Sequence, residues 1–273
     1  MIRLAVRVRP EEAELVLAEL LALAPNGVEE VGLQDGAVEY AVYGSPGELP
    51  ALGDLRAAAG GALVAISTRE VADDWFERWR EFHRPLVLGR RLTVRPPWIG
   101  REATDLDVVI DPGQAFGTGA HATTRLCLEL LLALADARPE RGAFVDVGCG
   151  SGVLAIVAAR LGFSPVTALD IERQSVEATL ANAGANGVAL RARRFDLRSE
   201  PVPPAAVAAA NLLALPLLEW AESGRGAWPD RLILSGLLTS EADRVAIAFS
   251  GHGLVERERR TRGEWAALLL DAP

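Results

Sequence analysis

The segment from Asp146 to Gly152 constrains the fold of this chain most, because three glycines alternate there between an apolar strand and an apolar helix. The pattern predicts a strand over 143–147 and a helix over 153–161. Glycine has no Cβ, so a ligand can approach the main chain and the first N–H groups of the helix, which are expected to be free to donate. The segment therefore predicts a ligand-binding turn.

The glycine spacing separates two classes of nucleotide-like ligand. A dinucleotide turn reads G-x-G-x-x-G, and counting from Gly148 and Gly150 places Val153 where its last glycine would stand. A nicotinamide oxidoreductase would also need a proton relay such as a tyrosine–lysine pair, and the chain contains no lysine. The spacing G-x-G-x-G thus favours a different cofactor.

Composition limits the class of protein. With 273 residues, half of them hydrophobic, the chain can bury a sizeable core as one or two domains. It has no long uncharged apolar segment, so we expect a cytoplasmic protein without a signal peptide or membrane span. Cys127 and Cys149 have neither disulfide nor zinc-site spacing, so buried thiols and no metal site are expected. The net charge of −9 disfavours nucleic-acid binding and suits a basic partner.

Residues 1–71 predict a small α+β domain. Strands are expected at 2–8, 28–34, 37–42 and 63–67, with helices after Pro10 and over 49–59. Asp35-Gly36 suits a two-residue hairpin turn. The order β-α-β-β-α-β is the ferredoxin-like, or split βαβ, arrangement, and no residue in it looks catalytic.

Residues 72–98 predict a linker of one helix and a short strand over 86–94. Trp75, Trp79 and Phe82 share one helical face, which favours packing between domains over a ligand site. His83 has no nearby histidine or cysteine, so a structural or surface role is favoured over metal binding.

Residues 99–273 predict an α/β domain with a mainly parallel, Rossmann-like sheet, because strands and helices alternate. Strands are expected near 106–110, 165–170, 205–210, 231–235 and 264–270, and helices over 125–135, 174–183 and 240–249. Ligands bind outside the carboxyl ends of parallel strands. Four stretches should therefore line one crevice: 111–124, 146–152, 170–171 and 211–214.

Asp170 is the candidate acceptor for a ribose. It follows Gly148 by 22 residues, against about 20 expected for an acid that binds ribose hydroxyls. The alternative is a helix-capping aspartate, but that role would not require the preceding glycines.

The motifs together resemble a known family. Asp146–Gly152 followed by Asp170 resembles the first motif of class I S-adenosylmethionine-dependent methyltransferases. Asp111–Thr124 resembles D-P-G-x-A-F-G-T-G-x-H-x-T-T, the signature of ribosomal protein L11 methyltransferases. The resemblance covers residues 74 to 273 well, including 75–98, 211–214 and 234–238, and the first domain only in outline.

The resemblance implies a cofactor, S-adenosylmethionine, and residues that bind it. Thr124, Gly148, Asp170 and Asn211 are implied to bind it, with Phe116 and Ile171 close by. On chemical grounds, Gly150 would also allow close backbone approach. Asp146 would order the glycine loop or receive the amine of the methionine moiety.

The implied reaction is methylation of lysine and N-terminal amines of ribosomal protein L11, with the first domain recognising the substrate. We expect Asn211 to direct the amine through its side-chain carbonyl, so that Asn211→Ala loses most transfer. His121 is either a proton relay or a neutral hydrogen-bonding residue. The alternatives are another protein substrate and an inactive cofactor-binding scaffold.

Two features of the sequence depart from the family pattern. Ala122 stands where many relatives carry proline, and the strand before Asn211 is rich in alanine. Neither change removes a binding group, so the expected cofactor is unaffected.

Overall fold

The computed structural model describes residues 2–13, 16–17, 20, 23–24, 28–34, 36–44, 49–70, 84–112, 121–137 and 140–272. The chain forms two compact units, Met1–Phe82 and His83–Pro273. The predicted helix with Trp75, Trp79 and Phe82, together with His83, lies outside the described residues. The three-part division at residues 71 and 98 stays a prediction.

The first unit contains a four-stranded antiparallel sheet. Its strands are β1 (Ile2–Val8), β2 (Glu29–Gln34), β3 (Ala37–Gly44) and β4 (Leu63–Glu70), in the order β2-β3-β1-β4, with helix α1 (Leu52–Ala59) before β4. Residues 13, 16, 17, 20 and 23 are helical. Gln34 lies opposite Ala37, which confirms the predicted hairpin. The assignment to the ferredoxin-like class stays a prediction.

The second unit begins with a three-stranded sheet of β5 (Leu86–Leu88), β6 (Leu92–Arg95) and β7 (Leu106–Val109). The predicted single strand over 86–94 is therefore wrong. The chain turns at Gly89, whose φ of +55° suits glycine, and β6 returns antiparallel to β5. β6 then pairs parallel with β7.

A seven-stranded sheet forms the centre of the second unit, in the order β10-β9-β8-β11-β12-β14-β13. The strands are β8 (Phe144–Val147), β9 (Val166–Asp170), β10 (Arg191–Arg194), β11 (Val207–Asn211), β12 (Arg231–Leu238), β13 (Val255–Arg262) and β14 (Trp265–Asp271). The first five in this order run parallel, and β14 and β13 are antiparallel. The predicted Rossmann-like, mainly parallel sheet is confirmed.

Five described helices accompany this sheet. They are α2 (Ala122–Ala137), α3 (Val153–Arg160), α4 (Arg173–Ala185), α5 (Ala214–Ser223) and α6 (Ala242–Ser250). The sequence pattern did not predict α5, β10 or β13. None of the helices among the described residues is long and apolar enough to cross a membrane.

The core of the second unit lies on both faces of the sheet. Side chains of α2 and α3 pack on one face, and side chains of α5 and α6 pack on the other. Alternate residues of β11 belong to the two clusters, with Ala209 in one and Ala208 and Ala210 in the other. The alanine-rich strand is thus a buried central strand whose small side chains contact both helical layers.

The order of strands changes direction between β8 and β11. From β8 the chain proceeds outward through β9 and β10, and it then returns to place β11 on the other side of β8. Such a switch point opens a crevice at the carboxyl ends of the two central strands. Val147 and Ala210 are paired in register there, so the glycine turn and Asn211 leave the same edge of the sheet.

Candidate functional site

A cavity of about 360 Å³ opens at this edge of the sheet. Gly148 and Asp170 line it after β8 and β9, and Leu212 lines it after β11. The rest of its wall is mainly apolar and includes Ile171, Phe195, Leu197, Leu215 and Trp220. Three of the four predicted stretches therefore contribute to one cavity.

The glycine turn has the backbone that the sequence predicts. The φ angles of Gly148, Gly150 and Gly152 are +74°, +52° and +81°, which favour glycine at all three positions. The space of two missing Cβ atoms is occupied by protein. A Cβ on Gly148 would overlap the side chain of Leu212, and one on Gly152 would lie 2.8 Å from Cγ2 of Thr179. The glycines thus also allow close packing within the fold.

The N–H groups of the turn are largely used by the protein. Gly148 and Cys149 donate to the carbonyl of Leu169 at 2.8 and 3.0 Å, and Gly150 donates to Asp170 Oδ2 at 2.9 Å. The N–H of Ala155, in the first turn of α3, donates to Asp146. The expectation that the first helical N–H groups are free is therefore wrong at Ala155.

Asp170 lies at the end of β9 and faces the cavity. Its Oδ2 accepts the Gly150 N–H, and its Oδ1 accepts the Glu172 N–H at 2.9 Å just before α4. The carboxylate therefore fixes both the glycine turn and the start of the helix. Each carboxylate oxygen can accept a second hydrogen bond, so a diol in the cavity still has an acceptor there. Ile171 lies next to it on the cavity wall and is exposed.

Asp146 is buried beneath the turn, at 1% exposure. Its Oδ2 accepts the Ala155 N–H at 3.0 Å, and its Oδ1 has no hydrogen-bond partner among the described residues. Burial raises the pKa of Asp146 to about 7. Of the two roles considered for this residue, the geometry supports ordering of the glycine loop, and contact with a cofactor amine stays a prediction.

Thr124 and Asn211 are brought together by the fold. Thr124 lies in the first turn of α2 and is buried, and Asn211 ends β11. The Nδ2 of Asn211 donates to Oγ1 of Thr124 at 3.3 Å. This bond orients the amide and leaves its oxygen as the atom with acceptor capacity.

Leu212 follows Asn211 in the predicted stretch 211–214, although the sequence pattern gives it no role of its own. Its N–H donates to the carbonyl of Ser235 at 3.0 Å, and its side chain packs on Gly148. Gly236, with φ +84°, lies against its backbone: a Cβ there would lie 2.6 Å from the Leu212 carbonyl carbon. Leu212 is therefore enclosed between the glycine turn and the end of β12.

His121 has the surroundings of a neutral residue. The Thr123 N–H donates to His121 Nδ1, and the Thr123 hydroxyl lies 2.8 Å from the same nitrogen. The imidazole packs edge-on against Trp265, and burial lowers its pKa. The neutral role considered for this residue is the one that the geometry supports. Phe116 lies outside the described residues, so its proximity to a cofactor stays a prediction.

The segment after β10 also contributes to the cavity, although the sequence pattern did not predict it. Phe195, Asp196 and Leu197 line the wall. The backbone and side chain of Arg198 donate to Asp196, which lowers the pKa of that carboxyl. The available signal was an apolar residue and an acid directly after a short strand, but β10 is mostly arginine and has no apolar period.

Comparison with known proteins agrees with this geometry. The family model described as ribosomal protein L11 methyltransferase (PrmA) matches residues 55–272. A ribosomal protein L11 methyltransferase of Pelotomaculum thermopropionicum is 40% identical over 215 residues, which cover 76% of this chain and 69% of that protein. One of Geobacter metallireducens is 38% identical over 227 residues, which cover 82% and 73%.

A solved structure is also similar to this chain. The ribosomal protein L11 methylase of Lactobacillus delbrueckii subsp. bulgaricus superposes with a TM-score of 0.61 at 26% identity. The match covers 70% of this chain and 98% of that one.

Proposed function

Because this chain belongs to the ribosomal protein L11 methyltransferase family, we propose that it transfers methyl groups from S-adenosylmethionine to lysine side-chain and N-terminal amines of ribosomal protein L11. The observation that carries the proposal is the Thr124–Asn211 pair beside the glycine turn, at the edge of the sheet where Asp170 lines an apolar cavity. A cytoplasmic location is part of the same proposal.

The residues around the cavity fit the cofactor. An adenosine needs apolar walls for the base and an acceptor for the two ribose hydroxyls. Ile171, Phe195 and Leu197 supply the walls, and Asp170 supplies the acceptor. A volume of about 360 Å³ lies within the range of small-molecule sites. These residues, with Gly148 and Thr124, would hold S-adenosylmethionine.

When bound, S-adenosylmethionine supplies a methyl group on a sulfonium sulfur, which is an excellent leaving group. The protein must therefore position the amine and keep it deprotonated. A lysine ammonium has a pKa near 10.4, and an apolar wall favours its neutral form. The Asn211 Oδ1 accepts one amine N–H, so that the lone pair points away from the amide. In this proposal the ammonium releases its proton to water before the amine binds, so no side-chain base is required.

The test is methyl transfer from labelled S-adenosylmethionine into purified L11 and, separately, into a mixture of ribosomal proteins. We expect label in L11, with loss of most of it in Asn211→Ala while the melting temperature stays close to that of the parent. Since this chain has no lysine, every methyl-lysine detected by mass spectrometry belongs to the substrate.

The outcomes separate the alternatives. Label in another protein but not in L11 would support a different substrate. Binding of S-adenosylmethionine in calorimetry without label anywhere would support an inactive scaffold. Binding of NAD alone would overturn the cofactor assignment, and full turnover by Asn211→Ala would overturn the role of Asn211.

A further inference from the structure

Helix α4 presents a line of polar side chains to the rest of the second unit. Thr179 and Asn182 are three residues apart on one face of α4, and Asn186, four residues further along, directly follows the end of the helix. Thr179 and Asn182 are fully buried, with Asn182 at 4% exposure. A buried amide is costly unless both of its ends are hydrogen-bonded, so the partners of Asn182 are informative.

Asn182 joins two separate segments of the chain. Its Oδ1 accepts the N–H of Asp111 at 3.0 Å, and its Nδ2 donates to the carbonyl of Ser151 at 2.9 Å. Asp111 follows β7 and begins one stretch that the sequence assigns to the cofactor, and Ser151 lies in the other, the glycine turn. One side chain therefore sets the separation of the two segments.

The chemistry of the two partners fixes the amide. Asp111 offers a donor and Ser151 offers an acceptor, so a rotation of the amide by 180° would place oxygen against oxygen and nitrogen against nitrogen. A leucine would fill a similar volume but would leave both backbone groups without these bonds. The asparagine side chain supplies both an acceptor for the Asp111 N–H and a donor for the Ser151 carbonyl.

The neighbours on the same face make different contacts. The Thr179 hydroxyl lies 3.0 Å from the carbonyl of Gly150 and 3.2 Å from Sγ of Cys149, and both partners belong to the glycine turn. Asn186 pairs with Val109 in β7, accepting its N–H at 2.8 Å and donating to its carbonyl at 2.6 Å, and its Nδ2 also donates to the backbone carbonyl of Asn182 at 2.8 Å. Among these three side chains, Asn182 is the one whose described bonds connect both cofactor segments.

We propose that Asn182 is a positioning residue for cofactor binding, which acts by holding the Asp111 backbone at a fixed distance from Ser151. The inference rests on the proposed function. Preformed spacing of binding segments lowers the cost of ordering them when a ligand binds, so its loss weakens affinity. Asn182 lies on helix α4, whereas Asn211, which is proposed to direct the amine, ends strand β11.

The experiment compares Asn182→Asp with the matched control Asn186→Asp. Each change replaces an amide NH₂ that donates to a backbone carbonyl by a carboxylate oxygen. The carbonyl is that of Ser151 for residue 182 and that of Val109 for residue 186. Calorimetric titration with S-adenosylmethionine and thermal melting are done on both full-length proteins, followed by methyl-transfer kinetics. We expect Asn182→Asp to raise the Kd and the KM for S-adenosylmethionine at least tenfold, with kcat at saturation within about threefold of the parent. Asn186→Asp should lower the melting temperature comparably and leave the Kd within about twofold.

An unchanged Kd in Asn182→Asp would overturn the inference, as would equal weakening in both variants, since that would reflect stability alone. If either aspartate variant does not fold, the same comparison is made between Asn182→Ala and Asn186→Ala. Absence of S-adenosylmethionine binding by the parent protein would instead refute the proposed function.

Discussion

Substitution of Gly236 tests whether its close contact with Leu212 fixes the position of the neighbouring Asn211. Its φ is +84°, and a Cβ at this position would overlap the Leu212 carbonyl oxygen and lie 2.6 Å from the carbonyl carbon. Leu212 directly follows Asn211, which we propose to direct the amine. The substitution Gly236→Ala should therefore displace the segment that carries Asn211.

The size of the effect follows from these contacts. Carbon atoms in van der Waals contact are about 3.5–4.0 Å apart, so relief of the overlap requires a shift of about 1 Å. A misplacement of this size can cost about 100-fold in rate, because near-attack geometry is lost. The left-handed backbone adds a strain of about 1–2 kcal/mol, which lowers stability without acting on the site.

The control variant separates strain from overlap. Gly89, in the turn between β5 and β6, has φ +55° and nothing within 4 Å of its Cβ position, so Gly89→Ala has the strain alone. Methyl-transfer kinetics and urea unfolding are measured on both variants. We expect kcat to fall on the order of 100-fold in Gly236→Ala and to stay within about twofold in Gly89→Ala. Retention of the parent kcat by Gly236→Ala, or an equal loss in both, would refute the reasoning.

Two further predictions concern the carboxylates of the site. Burial raises the pKa of Asp146 to about 7, so the folded protein holds a proton that the unfolded chain releases near pH 4. The neutral Asp146 carboxyl makes its whole contribution to the free energy of unfolding below pH 4, and this contribution is lost as the pH rises towards 7. At pH 8, Asp146→Asn should therefore be more stable by up to about 4 kcal/mol in urea unfolding. If the free energies of unfolding of the variant and the parent depended on pH in the same way, this prediction would be contradicted. Asp170→Asn should weaken S-adenosylmethionine binding at least tenfold in calorimetry, because an amide NH₂ replaces one acceptor and faces either the Gly150 or the Glu172 N–H; unchanged affinity would exclude Asp170 as the ribose acceptor.

Much of the second unit could be predicted because its strands are apolar and end in distinctive residues. The strand before Gly148 and the one ending at Asp170 lie within one residue of their predicted bounds. The alanine-rich strand that ends at Asn211 also lies within two residues of its predicted bounds, although alanine favours helices.

The failures have physical causes. β10 and β13 are strands at the two edges of the sheet and carry mainly charged side chains, so they show little hydrophobic period. The prediction at 86–94 fails because two short apolar segments, 86–88 and 92–94, were joined into one strand across Gly89 and two arginines. A glycine between two such segments is compatible with either a continuous strand or a hairpin.

Contacts through the backbone also could not be read from the sequence. The sequence placed Asp111, Ser151 and Asn211 at one edge of the sheet, but it does not show that Asn182 joins the first two. Nor does it show that Leu212 fills the space beside Gly148 and Gly236. Such contacts depend on how helix α4 and the segments after the strands pack together, and these parts of the chain are far apart in sequence.

The pairing of Val147 with Ala210 has a consequence for the order in which the protein is built. In the folded protein β11 lies between β8 and β12. A nascent chain that ends before residue 207 therefore contains the glycine turn but lacks β11 and Asn211. Contacts between distant segments form late because loop closure must come first. We therefore expect the two halves of the site to meet only after β11 has paired with β8, so that a partly synthesised chain lacks the complete site.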